Sequence, residues 1–93
     1  MSVKRRIRFQ VGEVCATAHV LASVSMADIA AAVSRHQLGD WGELGAADRK
    51  ANDDALQNRT RLLSAYSGRN GTKFWIITEV DRSVTTILLP NDY

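Results

Sequence analysis

The stretch "RLLSAYSGRNGTKFWIITEVDRSVTTILLP", residues 61 to 90, decides the fold. Three segments rich in β-branched and aromatic residues, Arg61 to Tyr66, Lys73 to Val80 and Val84 to Leu89, are separated by Ser67-Gly68-Arg69-Asn70-Gly71 and by Asp81-Arg82-Ser83. Both separators are turn-forming, so the pattern predicts a three-stranded antiparallel meander that ends at Pro90. Successive side chains of a strand point to opposite faces. In the middle strand Phe74, Ile76 and Thr78 therefore share one face and Trp75, Ile77 and Glu79 the other. Both sets carry large apolar groups, so both faces need cover, one from helices and the other in part from a partner chain.

Working outward, Ser25-Met26-Ala27-Asp28 reads as a helix start. Ser25 caps the first N–H groups, and the Asp28 carboxylate meets the positive end of the helix dipole. A helix is predicted from Met26 to about Gln37, with an apolar stripe of Met26, Ile29, Ala30 and Val33 completed by the stem of Gln37. Arg35 and His36 fall in its last turn, where positive charge is favourable. Gly39, Gly42 and Gly45 then interrupt the helix, making Leu38 to Gly45 a loop whose anchors are Trp41 and Leu44, with Trp41 folded back over the core. These glycines do not form a phosphate-gripping loop: no strand precedes them, no Lys-Ser/Thr follows, and Asp40 and Glu43 would repel phosphate. Ala46 to about Asn58 reads as a second helix, with Ala47, Ala51 and Ala55 toward the sheet and Asp48, Asp53 and Asp54 on a solvated face.

The N-terminal third is less regular. Arg5-Ile7-Phe9-Val11 alternates with Arg6-Arg8-Gln10, and Val14-Ala16-Ala18 alternates again, which suggests one or two short strands; the helix-permissive run from Cys15 to Ala22 competes. The expected fold is α+β: two helices packed on a C-terminal three-stranded antiparallel meander that one or two N-terminal strands can extend. Its 93 residues fit one domain, residues 1–93, with residues 1–5 expected to be flexible.

Composition narrows the functional classes. With 45% hydrophobic and 24% charged residues the chain is that of a globular protein. No apolar run approaches the roughly 18 residues that span a bilayer, and Arg8 and Gln10 break any apolar signal core after Lys4-Arg5-Arg6, so a cytoplasmic protein without membrane contact is expected. Cys15 is the single cysteine, which excludes an intrachain disulfide or a multi-thiolate zinc site. His19, four residues on, adds only a second ligand, so neither metal nor cofactor is expected. The net charge of +2 is too small alone to imply nucleic acid. The one basic cluster, Lys4, Arg5, Arg6 and Arg8, is ordinarily a solvated terminus and alternatively a nucleic-acid contact.

Together "RHQLGDWGELGAADRKAND" (35–53), "LLSAY" (62–66) and "FWIITEVDRSVTTILLP" (74–90) resemble a family of small uncharacterised proteins of bacterial plasmids and integrated mobile elements, sometimes labelled restriction-modification subunits. The resemblance runs from Val14 to Tyr93 and rests on the order of the helix-end Arg-His, the Gly-Asp-Trp-Gly loop, the helix of Asn52 and the Asp81-Arg82 turn. It implies an accessory protein of a mobile element. The restriction label does not transfer, because the chain is too short for a methyltransferase and lacks a glycine-rich cofactor loop after a strand.

Three functions follow as expectations. A non-enzymatic interaction protein, acting on a protein partner or as a homodimer, would use Tyr66, Trp75 and Arg82 on the sheet. Helices followed by an antiparallel sheet, with His36, Arg59, Tyr66, Arg82 and threonines near the sheet, are also similar to the small ribonuclease toxins of the barnase and RelE type. That reading makes His36 or Glu79 the general acid or base and Arg82 the cation beside the phosphate. Against it, Asp81-Arg82 is a good hairpin turn and His36 an ordinary helix C-terminal residue. The third function is a nucleic-acid-binding accessory using Lys4, Arg5, Arg6 and Arg8.

Overall fold

The computed structural model describes residues 6–93. The expected flexibility of residues 1–5 lies outside that range. The C-terminal meander is present as β2 (Leu62–Ser67), β3 (Lys73–Thr78) and β4 (Val84–Leu88), with Ala65 opposite Trp75 and Ile77 opposite Thr86. β3 stops two residues earlier than its pattern suggests, because the turn begins at Glu79: the Arg82 N–H donates to the Glu79 carbonyl at 3.0 Å.

A fourth strand, β1 (Glu13–Ala16), runs parallel to β4 and gives a mixed sheet of order β1-β4-β3-β2. Of the two N-terminal strands considered, only this one forms among the described residues. The Ile7-Phe9-Val11 alternation instead belongs to a strap, residues 6–12, held by the Arg8 N–H on the Gln37 carbonyl (2.7 Å) and by the Thr85 hydroxyl on the Val11 carbonyl (2.8 Å). Gly12 lets the strap cross the β3–β4 turn: its φ is +64°, and a Cβ there would sit 2.3 Å from the Ser83 carbonyl oxygen. Both readings of the segment hold in part: the strand ends at Ala16, and Ala18 starts a helix, α1 (Ala18–Ser23), within the helix-permissive run, its Val20 N–H capped by the Thr17 hydroxyl at 3.2 Å.

The two expected helices are α2 (Met26–Gln37), capped by Ser25, and α3 (Ala46–Asn58). Each is rotated in part from the face its sequence suggests: Ile29, Val33 and Ala55 turn inward as expected, and the rest of each stripe does not. In α2 the buried residues are Ile29, Ala32 and His36, while Met26 is 66% exposed. That set keeps the i, i+3, i+7 spacing of a helix face but includes a histidine. In α3 the buried residues are Asn52 and Ala55, and Ala47 and Ala51 face solvent.

The reason is where α3 lies. It runs beside the outer edge of β2, and Asn52 acts there as a substitute strand: its amide donates to the Leu63 carbonyl (2.6 Å) and accepts from the Leu63 N–H (3.2 Å). The next outward-facing residue, Ala65, donates to the Trp41 carbonyl (3.3 Å) and accepts from the Glu43 N–H (2.7 Å). Gly42 makes this approach possible, since a Cβ there would stand 1.9 Å from the Ala65 carbonyl oxygen and its φ is +73°. The opposite edge is different. Glu13 and Thr17 direct their N–H groups at β4, so the backbone groups of Val14 and Ala16 point outward and meet no partner among the described residues.

One core, between the sheet and helices α1 and α2, contains Val20, Val24, Ile29, Tyr66, Phe74, Ile76 and Ile87. A second joins Trp41, Ala55 and Leu62, with Phe9, Leu44 and Leu56 packed on it. On the other sheet face the chain's own end supplies cover that the sequence assigned in part to a partner: after the 3-10 turn Pro90–Asp92, Tyr93 meets Trp75 edge to face at 5.8 Å. Ile77 and Leu88 on that face are only 3% and 6% exposed.

Candidate anion-binding site

His36 is fully buried. It occupies the centre of a polar chain whose direction follows from its end. Thr85 donates to the Val11 carbonyl, so it must accept from Thr78 (2.7 Å), and Thr78 must in turn accept from His36 Nε2 (2.9 Å). The neutral ring is then protonated on Nε2 and accepts from the Ser64 hydroxyl at Nδ1. Burial, and secondarily the charge of Arg82, lowers its pKa from 6.5 to about 4. The buried Ser64, Thr78 and Thr85 hydroxyls are all partnered, and this imidazole has no route to a substrate.

Glu79 projects on the opposite sheet face, where Arg61 approaches it at 3.8 Å. Arg82 spans two elements: Nη1 donates to the carbonyls of Thr60 (2.6 Å) and Glu79 (3.1 Å), and Nη2 to that of Ala55 (3.2 Å), tying the end of α3 to the β3–β4 turn. The three residues named for a nuclease thus do not converge on one cleft. The proposed interface residues are also apart. Tyr66 is 2% exposed on the α2 face, its hydroxyl donating to the Asp40 carbonyl at 2.7 Å under the Arg35 guanidinium, whereas Trp75 is half-buried on the other face beneath Tyr93.

The structure gathers a different group. The strap supplies Arg8, Phe9 and Gln10, the end of α3 supplies Leu56, Gln57 and Arg59, and the β3–β4 turn supplies Arg82; together they line a depression of about 450 Å³. Three guanidinium groups and no carboxylate border it. Arg8 and Arg59 are exposed and form no ion pair among the described residues. Burial, and then the charge of Arg59, lowers the pKa of Arg82, as expected where like charges are held together. Beside it a second depression of about 420 Å³ is bordered by Arg6, Arg8 and Asp40, whose carboxylate is already taken by both nitrogens of the Arg35 fork at 2.7 and 3.2 Å. Positive charge therefore continues from Arg6 to Arg59 along this end of the molecule.

The backbone adds an independent observation. Arg59 (φ 56°) and Arg82 (φ 61°) are the only non-glycine residues in the left-handed region among the described residues, and both border this depression. Left-handed geometry costs a residue with a Cβ about 1–2 kcal/mol relative to the right-handed form, and such strain concentrates at functional positions. Asn58, the better left-handed residue, stands one position earlier and stays helical. Of this group, the sequence points to Arg8 as a nucleic-acid contact and to Arg82 as a nuclease or interface residue, and places Arg59 only among the residues near the sheet in the ribonuclease likeness. The usable signal was the arginine at a helix C-terminus where glycine or asparagine is usual. Lys4 and Arg5, the rest of the expected basic cluster, lie outside the described residues. Comparison of the chain with protein-family models, with curated proteins and with solved structures finds no match.

Proposed function

We propose that this chain is a non-enzymatic accessory protein that binds nucleic acid by its phosphate backbone, with Arg8 and Arg59 as the principal contacts and Arg6 extending the path. The observation that carries the reading is the depression bordered by three arginines and no carboxylate. Guanidinium groups hold phosphate oxygens in a two-pronged fork, and held together without counter-charge they favour an anion with several phosphates over a single ion. Work on nucleic acid also suits the mobile-element accessory role that the family resemblance implies. Arg82, its N–H groups occupied by carbonyls, keeps the depression in shape and contributes its charge at short range.

Fluorescence anisotropy of labelled oligonucleotides across a salt series tests this. Binding should weaken steeply with salt, with a log–log slope of about −2 to −3 for three neutralised phosphates. Arg59→Gly is the informative variant: it removes the cation, yet glycine suits a φ of 56°, so the slope should fall by about 1 with no loss of thermal stability. Absence of oligonucleotide binding at low salt would defeat the proposal, and so would wild-type affinity in Arg59→Gly. Tight binding of an acidic peptide without oligonucleotide binding would assign the surface to a protein partner.

A further inference from the structure

On the reading that the arginines hold phosphates, we infer that the depression itself seats one unpaired nucleobase, so that the chain selects single-stranded over double-stranded nucleic acid. Phosphate contact alone needs only projecting cations, and a duplex presents its phosphates on a convex surface. This site is concave, and its volume of about 450 Å³ is of the size that encloses a small organic group, about 300–1,000 Å³. Its lining suits a base. Phe9 and Leu56 form an apolar floor, and the primary amides of Gln10 and Gln57, each offering donors and an acceptor, are exposed and have no side-chain hydrogen bond among the described residues. A phosphate would use only the donor half of such amides.

Arg82 supplies the stacking surface. Its N–H groups are directed along the guanidinium plane into the carbonyls of Ala55, Thr60 and Glu79, and its central carbon lies 5.8 Å from the Phe9 ring centre. What it offers a ligand is the flat face of a cation, a surface on which bases stack. Arg8 and Arg59 at the border then meet the phosphates of the same strand. In a duplex the faces and pairing edges of every base are already occupied, so the Arg82 face finds no base to stack on, and the two glutamines could meet a base only at its groove edge.

The test compares three labelled probes with the full chain: a short mixed-sequence DNA strand, the same length of abasic sugar-phosphate, and the corresponding duplex. The intact strand should bind about tenfold or more tightly than either of the others, the scale expected for one stacked base. Gln10→Ala with Gln57→Ala should weaken the intact strand and leave the abasic probe unchanged; both glutamines are exposed, and an unaltered thermal melt will show the fold is kept. Equal, salt-dependent binding of all three probes, or preference for the duplex, overturns the seating of a base while leaving phosphate binding in place. Failure of all three to bind overturns both.

Discussion

Acidification should unfold this protein in a pH range set by one histidine. In the unfolded chain His36 takes up a proton near its ordinary pKa of 6.5, whereas in the fold it does so only near about 4. Over that interval the unfolded state binds more protons than the native state, so stability falls as the pH falls. With those two values the loss reaches about 2 kcal/mol between about pH 7.5 and about pH 5, and about 3 kcal/mol by about pH 4. The carboxyl groups of Asp28, Asp40, Asp81 and Asp92, which their hydrogen bonds hold below the usual carboxylate range, add to the loss as the pH falls below about 5, toward the ordinary value of 3.8 and beyond. Urea denaturation at several pH values reads the effect directly. Proton NMR of the imidazole in a His19→Gln background isolates the group responsible. His36→Gln retains a donor and an acceptor for Thr78 and Ser64, and should flatten the stability curve between about pH 7.5 and about pH 5 whatever its cost at neutral pH. A wild-type curve already flat over that range, or an imidazole that titrates near 6.5, would refute the neutral buried network.

Two further outcomes concern the second core and the covered sheet edge. Trp41→Ala should cost about 3–5 kcal/mol in chemical denaturation, the usual range for a truncated core aromatic, because the indole is 2% exposed and its N–H donates to Asp53 at 3.0 Å; a loss under about 1 kcal/mol would show the loop to be detachable. Asn52→Ala should cost about 2 kcal/mol for two hydrogen bonds and expose the Leu63 amide to faster hydrogen exchange. An unchanged exchange rate at Leu63 would mean that the helix covers the edge without this side chain.

The elements that the sequence made legible are those whose cues are local. The capped start of α2, the glycine stop after it and the turn clusters around β3 depend on residues within a few positions of each other, and they fall where expected. What was hidden depends on residues far apart. A histidine in the last turn of a helix is ordinarily solvated, and nothing near His36 announces that Ser64 and Thr78 will wait for its two nitrogens. Asn52 sits among charged residues, and its burial follows from the open edge of a strand that begins ten residues later. The arginine-bordered depression was out of reach for the same reason, since Arg8, Arg59 and Arg82 come from three separate segments. Only the left-handed backbone at the end of α3 left a trace, in an arginine where glycine or asparagine is usual.

The unequal edges of the sheet set a limit on self-assembly. Head-to-tail stacking, the route to filaments, needs two complementary borders on each molecule, and here Asn52 and the Trp41–Glu43 loop have closed one of them. Val14 and Ala16 of β1 keep outward backbone groups, so a second copy joining along that edge would have to present its own β1 about a two-fold axis. Such a pair leaves no border for a third molecule. Growth through the sheet would end at two chains, and the same loop that shapes one side of the fold would thereby protect the protein from fibre formation.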